Sequence, residues 1–508
     1  MTVLAQAQTL GDVLRDQAAA RPGKTAFETL DGRRVDFAGF NRRVNRLCHA
    51  LAACGVAPGA RVALLSRNCI EYVEVYGAAK AGLVVVPLNW RLPAAELVPL
   101  LAHSAPKVLV VDEAHVALVD GLRAQLPTVR HWVVLGPARA GWLAYEDLLA
   151  TASDTEPVCA VQPGDVLCII YTSGTTGAPK GVALTHAGAL GNVRTAATEM
   201  LGLGEADHTM AVMPLFHVGG FWYHLFPSFA SGCTTLILAD FDPATVLREL
   251  QARRISNVHL VPTMIAALLA HPDAAQADLR CLRLVFYAAS SMPAELLRRA
   301  MQTFSQCGFA QAYGSTEAGV VSVLDPAAHQ RARQPQGEHL LQSCGRAFSR
   351  HALRVVGANG QTLASGDIGE IEVRSADLMQ GYWHNPAATQ AVLHDGWLKT
   401  GDLGRIDDEG YLYIVDRKND MVVTGGENIY PTEVEAQLYR DSAVLEAAVF
   451  GVPDPVWVER VVAAVVLRPG VPGTPETADE IQQRLRTRLA AYKCPKALYF
   501  VNTLPKSA

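Results

Sequence analysis

The sequence lacks a disulfide framework. Its ten cysteines are scattered and none forms a C-x-x-C pair, which argues against a stapled secreted scaffold or a zinc ribbon and for reduced thiols in a cytosol. It lacks a basic tail: 44 basic and 49 acidic residues give a net charge of −5 with no Lys/Arg block, so nucleic acid is not an expected partner. It lacks an uninterrupted apolar run of about 18 residues, so no transmembrane segment is expected. The N-terminal stretch "MTVLAQAQTLGDVLRDQAAARPGK" has no basic start followed by an apolar core, so no signal peptide is expected. Internal repeats and low-complexity tracts are absent too. The expectation is a soluble, cytoplasmic protein, compatible with a homodimer, that would have to meet any hydrophobic substrate in solution or by peripheral contact with a membrane.

Hydrophobic residues make up 50% of the 508 positions and charged ones 18%, enough for large buried cores in more than one domain. From residue 38 helical and strand-like stretches alternate. "AGFNRRVNRLCHALAACG" precedes "RVALLS", and "EYVEVYGAAKAG" precedes "LVVVPLN"; "PAAELVPLLAHSA" and "KVLVVD" follow. The rhythm returns in "TTLILAD", "ATVLRELQARRI", "NVHLVP" and "LRLVFYAAS". This predicts an α/β fold of stacked, mostly parallel sheets covered by helices. Between about 345 and 416 short strands and Gly/Asp turns predict a β-rich subdomain. Past "VDRKND" a small α+β unit begins, ending in a helix over "ADEIQQRLRTRLAAY". The expected domains are 1–418 and 419–508, with the charged segment Asp416–Asp420 as the hinge.

"YTSGTTGAPKG", Tyr171 to Gly181, follows the apolar run "DVLCII". Glycines and hydroxyls suit a backbone nest for phosphate oxygens. It is not a Walker loop, which needs Lys directly after the second glycine of G-x-x-x-x-G-K-[ST]; here Lys180 comes three residues after Gly177. Two more stretches stand out: "QAYGSTEAG" (311–319) and "KTGDLGRIDDEGYLYIVDRKNDMVVTGGENIYP" (399–431).

With "MPLFHVGG" and "GYWHNPAAT", these motifs, in this order, resemble those of the adenylate-forming superfamily: acyl- and aryl-CoA synthetases, luciferases and peptide-synthetase adenylation domains. The resemblance spans about residue 10 to the last residue. It implies that Thr172, Ser173, Gly174, Thr175, Thr176 and Gly177, with Lys180, hold the β- and γ-phosphates of ATP. Tyr313 would stack on adenine beside Gly314, Thr316 would contact the α-phosphate, and Glu317 would hold Mg²⁺, a hard cation suited to oxygen. Asp402 would accept both ribose hydroxyls, Arg417 would add a nucleotide contact, and Asn419 would be the hinge, where the family usually has lysine or aspartate. A carboxylic acid would be adenylated with loss of pyrophosphate, and a thiolate would then displace AMP. The "GGENIYP" form points to coenzyme A as that thiol, with Gly426 lining its tunnel and Arg91, Tyr492 and Lys496 near its nucleotide. Val458 stands where the family commonly has glycine.

For the acid, His217 matches an aromatic position that moves between the two catalytic states. Val218, Phe221, Trp222, Tyr287, Ala288, Ala289 and Gly314 are the pocket candidates. No aspartate is placed to bind an amino acid's ammonium, and "VPTMIAALLAH" contains no arginine for a second carboxylate. A medium- or long-chain fatty acid is expected, with Phe221 as a gate. The alternatives are a benzoate- or cinnamate-type acid, a carrier-protein thiol as acceptor, or a binding protein without catalysis. The family pattern ends near LP-x-x-x-x-G-K, whose lysine reaches the reacting carboxylate. Here the sequence reads "LPKSA" from Leu504, and Lys506 falls too early to be that lysine. Either the sequence stops short of it, or the protein lacks it; without that cation the 508-residue chain is expected to adenylate slower by orders of magnitude while thioester formation survives.

Overall fold

The computed structural model describes residues 3–172, 179–418, 420–424, 427–454 and 458–505. By contact the chain divides into two compact units: residues 1–352 with 374–398, and residues 353–373 with 399–508.

The first unit contains two large sheets. In one, the strands Leu284–Tyr287, Asn257–Leu260, His208–Ala211, Thr234–Ile237 and Thr25–Thr29 run parallel to one another in that order, and Arg34–Asp36 pairs antiparallel with the last. Gly308–Ser315 extends this parallel run, and Gly319–Leu324 folds back antiparallel against it. In the other, Val84–Pro87, Arg61–Leu65, Val108–Asp112 and His131–Leu135 are parallel. Val166–Thr172 joins Val84–Pro87, and the hairpin partner Lys180–Thr185 continues the sheet to Gly381–Tyr382. The runs "VVVP" and "VLVV" are buried throughout, as expected where helices cover both faces of a parallel sheet. The helix Phe37–Ala53 buries Phe37, Phe40, Val44, Leu47 and Leu51, a spacing that puts one apolar stripe on the core.

The second unit holds most of the strands Gly369–Arg374 and Trp397–Ile406, and all of Leu412–Arg417, in one sheet. A separate sheet pairs Val444–Asp454 with Val458–Leu467, and Ala497–Phe500 lies parallel to the latter. Val434 and Leu438 of the helix Pro431–Leu438, with Ile481 and Leu485 of Pro475–Arg486, pack on that sheet. The last helix ends at Arg486, short of the span expected from its apolar spacing. The Thr487 hydroxyl donates to the Arg484 carbonyl at 2.7 Å, and the amides of Arg488 and Leu489 both turn back to the Leu485 carbonyl at 2.9 Å. Among the described residues no helix is long and apolar enough to cross a membrane. None of the ten cysteines is in a disulfide.

Candidate active site

"YGSTEAG" forms the tip of the hairpin between Gly308–Ser315 and Gly319–Leu324, where the register slips between Tyr313 and Gly314. Glycine is required at both shoulders. A Cβ on Gly314 would collide with the Gly319 carbonyl, and Gly319 itself has φ +76°, a left-handed conformation. The Ser315 hydroxyl accepts from the Ala318 amide at 3.0 Å and its carbonyl accepts from the Tyr223 hydroxyl at 2.9 Å. The buried Asn192 accepts from the Val320 amide at 2.9 Å. These bonds fix the tip, leaving Gly314 exposed and Tyr313, Thr316 and Glu317 half-buried.

The phosphate-loop candidate closes another hairpin, in which Thr172 and Lys180 are direct cross-strand partners. Ser173, Gly174, Thr175, Thr176 and Gly177 lie outside the described residues. On the N-terminal side Tyr171 shares a 2.7 Å hydrogen bond with His103 Nδ1. On the other, the Lys180 ammonium sits 4.9 Å from the centroid of the Tyr382 ring, a cation–π contact. The Tyr382 hydroxyl donates to Glu317 Oε1 at 3.0 Å. One tyrosine therefore touches both the expected phosphate lysine and the expected metal carboxylate. Burial, reinforced by the Glu317 charge, pushes the Tyr382 phenol well above its ordinary pKa, so it remains a donor.

His217 begins the short helical turn Val218–Gly220. The residue is exposed, and crowding by its neighbours partly desolvates the ring. That desolvation, with a smaller repulsion from Arg91, pushes its pKa down to about 4, so the imidazole is neutral at pH 7. Arg91 lies over Trp90 at 4.5 Å and over Phe216 at 5.8 Å, and Phe216 packs on His217 at 4.4 Å between ring centroids.

The pocket candidates separate into two groups. Val218 and Ala288 are half-buried and Ala289 is exposed, the last at φ +76°, a conformation rare for a residue with a Cβ. Phe221, Trp222 and Tyr287 retain no more than 1% of their surface. Phe221 stacks on Tyr76 at 3.7 Å, Trp222 meets the same ring edge-on, and the Tyr287 hydroxyl is bonded to His329 Nε2 at 2.9 Å. These three are packed against neighbouring side chains among the described residues.

In the second unit Asp402 and Arg417 are cross-strand partners, with Arg417 Nε 3.2 Å from Asp402 Oδ1 and Asp402 buried. Asp416 receives the amides of Arg417 and Thr432 at 2.7 and 3.0 Å, spanning the expected hinge. Burial raises its pKa despite those bonds. Asn419 and Gly426 lie outside the described residues. Tyr492 and Lys496 are exposed; the Val458 backbone pairs with Thr424.

Several of these contacts escape a reading of the sequence. Asn192 and Tyr223 reach the "YGSTEAG" turn from helical segments, and neither residue is singled out in the sequence, although Tyr223 follows Phe221 and Trp222. Tyr382 lies inside "GYWHNPAAT", so the motif was visible but its contact with Glu317 was not. Among the described residues no group of three or more His, Cys, Asp or Glu side chains is arranged to hold a metal.

Residues 14–383 match the family model of the AMP-binding enzymes, and residues 433–508 match that of the AMP-binding enzyme C-terminal domain. The chain is 37% identical to an indoleacetate–CoA ligase of Aromatoleum aromaticum over 98% of its own length and 95% of that protein's. It is 33% identical to a long-chain-fatty-acid–CoA ligase of Mycobacterium tuberculosis, covering 98% and 96% of the two. ATP-bound MatB from Rhodopseudomonas palustris superposes with a TM-score of 0.88 at 30% identity, over 98% of this chain and 96% of that one. The chain belongs to the AMP-binding enzyme family. Within the adenylate-forming superfamily it is an AMP-forming enzyme of the acyl-CoA synthetase type.

Proposed function

We propose that this chain is an ATP- and Mg²⁺-dependent carboxylate–CoA ligase acting on a carboxylic acid whose tail is uncharged and hydrophobic, aryl rather than fatty. The observation that carries the nucleotide chemistry is the approach of Lys180 and Glu317 to one side chain, Tyr382. A cation for phosphate oxygens and an oxygen donor for a hard metal are thereby held on adjacent hairpins of one unit. One carboxylate completed by substrate phosphates and water is a usual donor set for Mg²⁺. When bound, the ion neutralises charge on the phosphates.

In this reading the loop from Thr172 to Gly177 and Lys180 hold the β- and γ-phosphates, and Tyr313 stacks on adenine. Thr316 meets the α-phosphate, Asp402 the ribose and Arg417 the nucleotide. The acid's carboxylate attacks the α-phosphorus as the bond to pyrophosphate breaks. Two anions must approach, so fixed positive charge lowers the barrier by electrostatic stabilisation. The CoA thiolate then attacks the acyl carbon and AMP leaves. Gly426, Arg91, Tyr492 and Lys496 receive CoA, and the small domain, 419–508, turns about Asn419 between the two steps. A neutral His217 adds no charge to an acid site lined by Val218, Ala288 and Ala289.

The fatty-acid expectation leaned on Phe221 as a gate. With Phe221 stacked on Tyr76 and without open surface, that support is withdrawn. The greater likeness to an indoleacetate–CoA ligase than to a long-chain one favours a ring. Apolar burial rewards either tail, at roughly 0.8 kcal/mol per CH₂. The test is a panel of aryl, fatty and dicarboxylic acids scored by AMP release with and without CoA. ADP and phosphate as products would overturn the adenylate mechanism, CoA-independent turnover the acceptor, and uniform preference for long aliphatic acids the aryl assignment.

A further inference from the structure

"GYWHNPAAT" has no role in the reaction as drawn above, yet its residues interlock. Asn385 accepts the Ala388 amide at 3.0 Å and so caps the helix Pro386–Val392. From that helix the Thr389 hydroxyl donates to the Asn385 carbonyl at 3.0 Å and accepts the Tyr382 amide at 2.9 Å. A side chain at Gly381 would press on Thr389. On the other flank, Gln380 N–H donates to the Ala183 carbonyl at 2.9 Å and Trp383 N–H to Gly181 at 2.7 Å. Met379 N–H donates to the Glu317 backbone carbonyl at 2.9 Å. The segment is thus tied by its backbone to the Lys180 strand and to the Glu317 turn. The motif's Gly, Asn, Pro and Thr serve to immobilise its tyrosine.

From this arrangement we propose that Tyr382 is a positioning residue, which orients the Glu317 carboxylate toward the metal and keeps Lys180 beside it. The assignment rests on the reading of Glu317 as the magnesium ligand. The Tyr382 hydroxyl engages Oε1, which fixes the carboxylate's rotamer and would leave the other carboxylate oxygen as a donor for the cation. A ligating carboxylate held by an outer hydrogen bond loses about 10–100-fold in metal affinity when that bond is removed. The aromatic face serves Lys180 independently of the hydroxyl, so the two effects separate chemically.

The experiment titrates Mn²⁺, as a spectroscopic substitute for Mg²⁺, into the full-length protein with ATP present and follows free Mn²⁺ by electron paramagnetic resonance. Four proteins are compared: wild type, Tyr382→Phe, Glu317→Gln and the double variant. Tyr382→Phe keeps the ring under Lys180 and is expected to raise half-saturating Mn²⁺ about tenfold. In the Glu317→Gln background it should add nothing, because a residue acting through Glu317 has nothing left to position. An unchanged titration in Tyr382→Phe overturns the proposal, as does an equal shift in both backgrounds or a variant too unstable to titrate. If Glu317→Gln itself binds Mn²⁺ as wild type does, the metal-ligand reading fails, and the Tyr382 role falls with it for that separate reason.

Discussion

The buried amide of Asn192 occupies the space where a side chain on Gly319 would stand. A Cβ built on Gly319 lies far inside contact distance of the Asn192 oxygen, and that oxygen accepts the neighbouring Val320 amide at 2.9 Å. The Asn192 NH₂ donates to the carbonyls of Gly188 at 3.0 Å and Asp377 at 2.8 Å. One side chain therefore ties the "YGSTEAG" turn to a helix and to the segment leading into Tyr382. Asn192→Ala should strand buried polar groups at about 1–3 kcal/mol each and let the turn drift. The expected outcome is a lower unfolding midpoint together with a raised KM for ATP. A normal KM in the folded variant would show that the turn holds its shape without the clamp.

Phe221→Ala separates core from pocket. Its ring is fully buried, 3.7 Å from Tyr76 and 4.9 Å from Trp222. Removing it should cost about 3–5 kcal/mol in urea unfolding, the range for truncating a buried aromatic. The ranking of acids in the substrate panel should stay as in wild type. A stable variant with altered chain-length preference would instead restore Phe221 as a gate.

Acid should destabilise the protein through histidines held neutral. Burial pushes His186, His224 and His329 each down to about 4, against about 6.5 in an unfolded chain. At His329 the Asp325 carbonyl must accept from Nδ1–H at 2.8 Å, so Nε2 is the acceptor for the Tyr287 hydroxyl at 2.9 Å. A second proton would reverse the latter bond and deprive the Tyr287 hydroxyl of its acceptor; the nearby Asp325 favours that proton and Arg333 opposes it. Because the folded pKa is depressed, stability is full above about pH 6.5. It is lost as pH falls toward about 4, because the unfolded chain binds the proton that the fold refuses. Urea unfolding at about pH 7 and about pH 5 measures this, and His329→Gln should flatten the difference. An unaltered slope in that variant would remove His329 from the account.

How far the sequence foretold all this depends on the range of each interaction. The alternation of β-branched runs with amphipathic helices is local, so the strands at Arg61–Leu65, Val84–Pro87 and Val108–Asp112 appear where expected. A hairpin tip is also local, which is why the turn at Tyr313 to Gly319 falls on one short stretch of sequence. The Asn192–Val320 and Tyr382–Glu317 bonds join residues 128 and 65 positions apart, and no periodicity encodes such pairs. Aromatic character alone does not show what a side chain packs against: the contacts of Phe221 and Trp222 with Tyr76, and of Tyr287 with His329, come only with the structure. The last helix misled because Leu489 continues its apolar spacing, although the chain turns back onto the Leu485 carbonyl.

Asp402 offers a test that cancels any general loss of stability. It is buried, its amide donates to the Thr400 hydroxyl at 3.1 Å, and Arg417 Nε approaches one oxygen, Oδ1, at 3.2 Å. A carboxylate so fixed can accept both hydroxyls of a ribose. A nucleotide lacking one of them forfeits a charge-assisted hydrogen bond, about 1.5–3 kcal/mol or roughly 10–150-fold in kcat/KM. Wild type should therefore favour ATP over 2′-deoxy-ATP by that ratio. Asp402→Ala should be slow with both nucleotides and should bring their ratio close to one. Since both are assayed on the same preparation, partial unfolding lowers the two rates alike and leaves the ratio untouched. If Asp402→Ala discriminates as strongly as wild type, the ribose is held elsewhere, and the Asp402–Arg417 pair is a brace of the second unit rather than part of the nucleotide site.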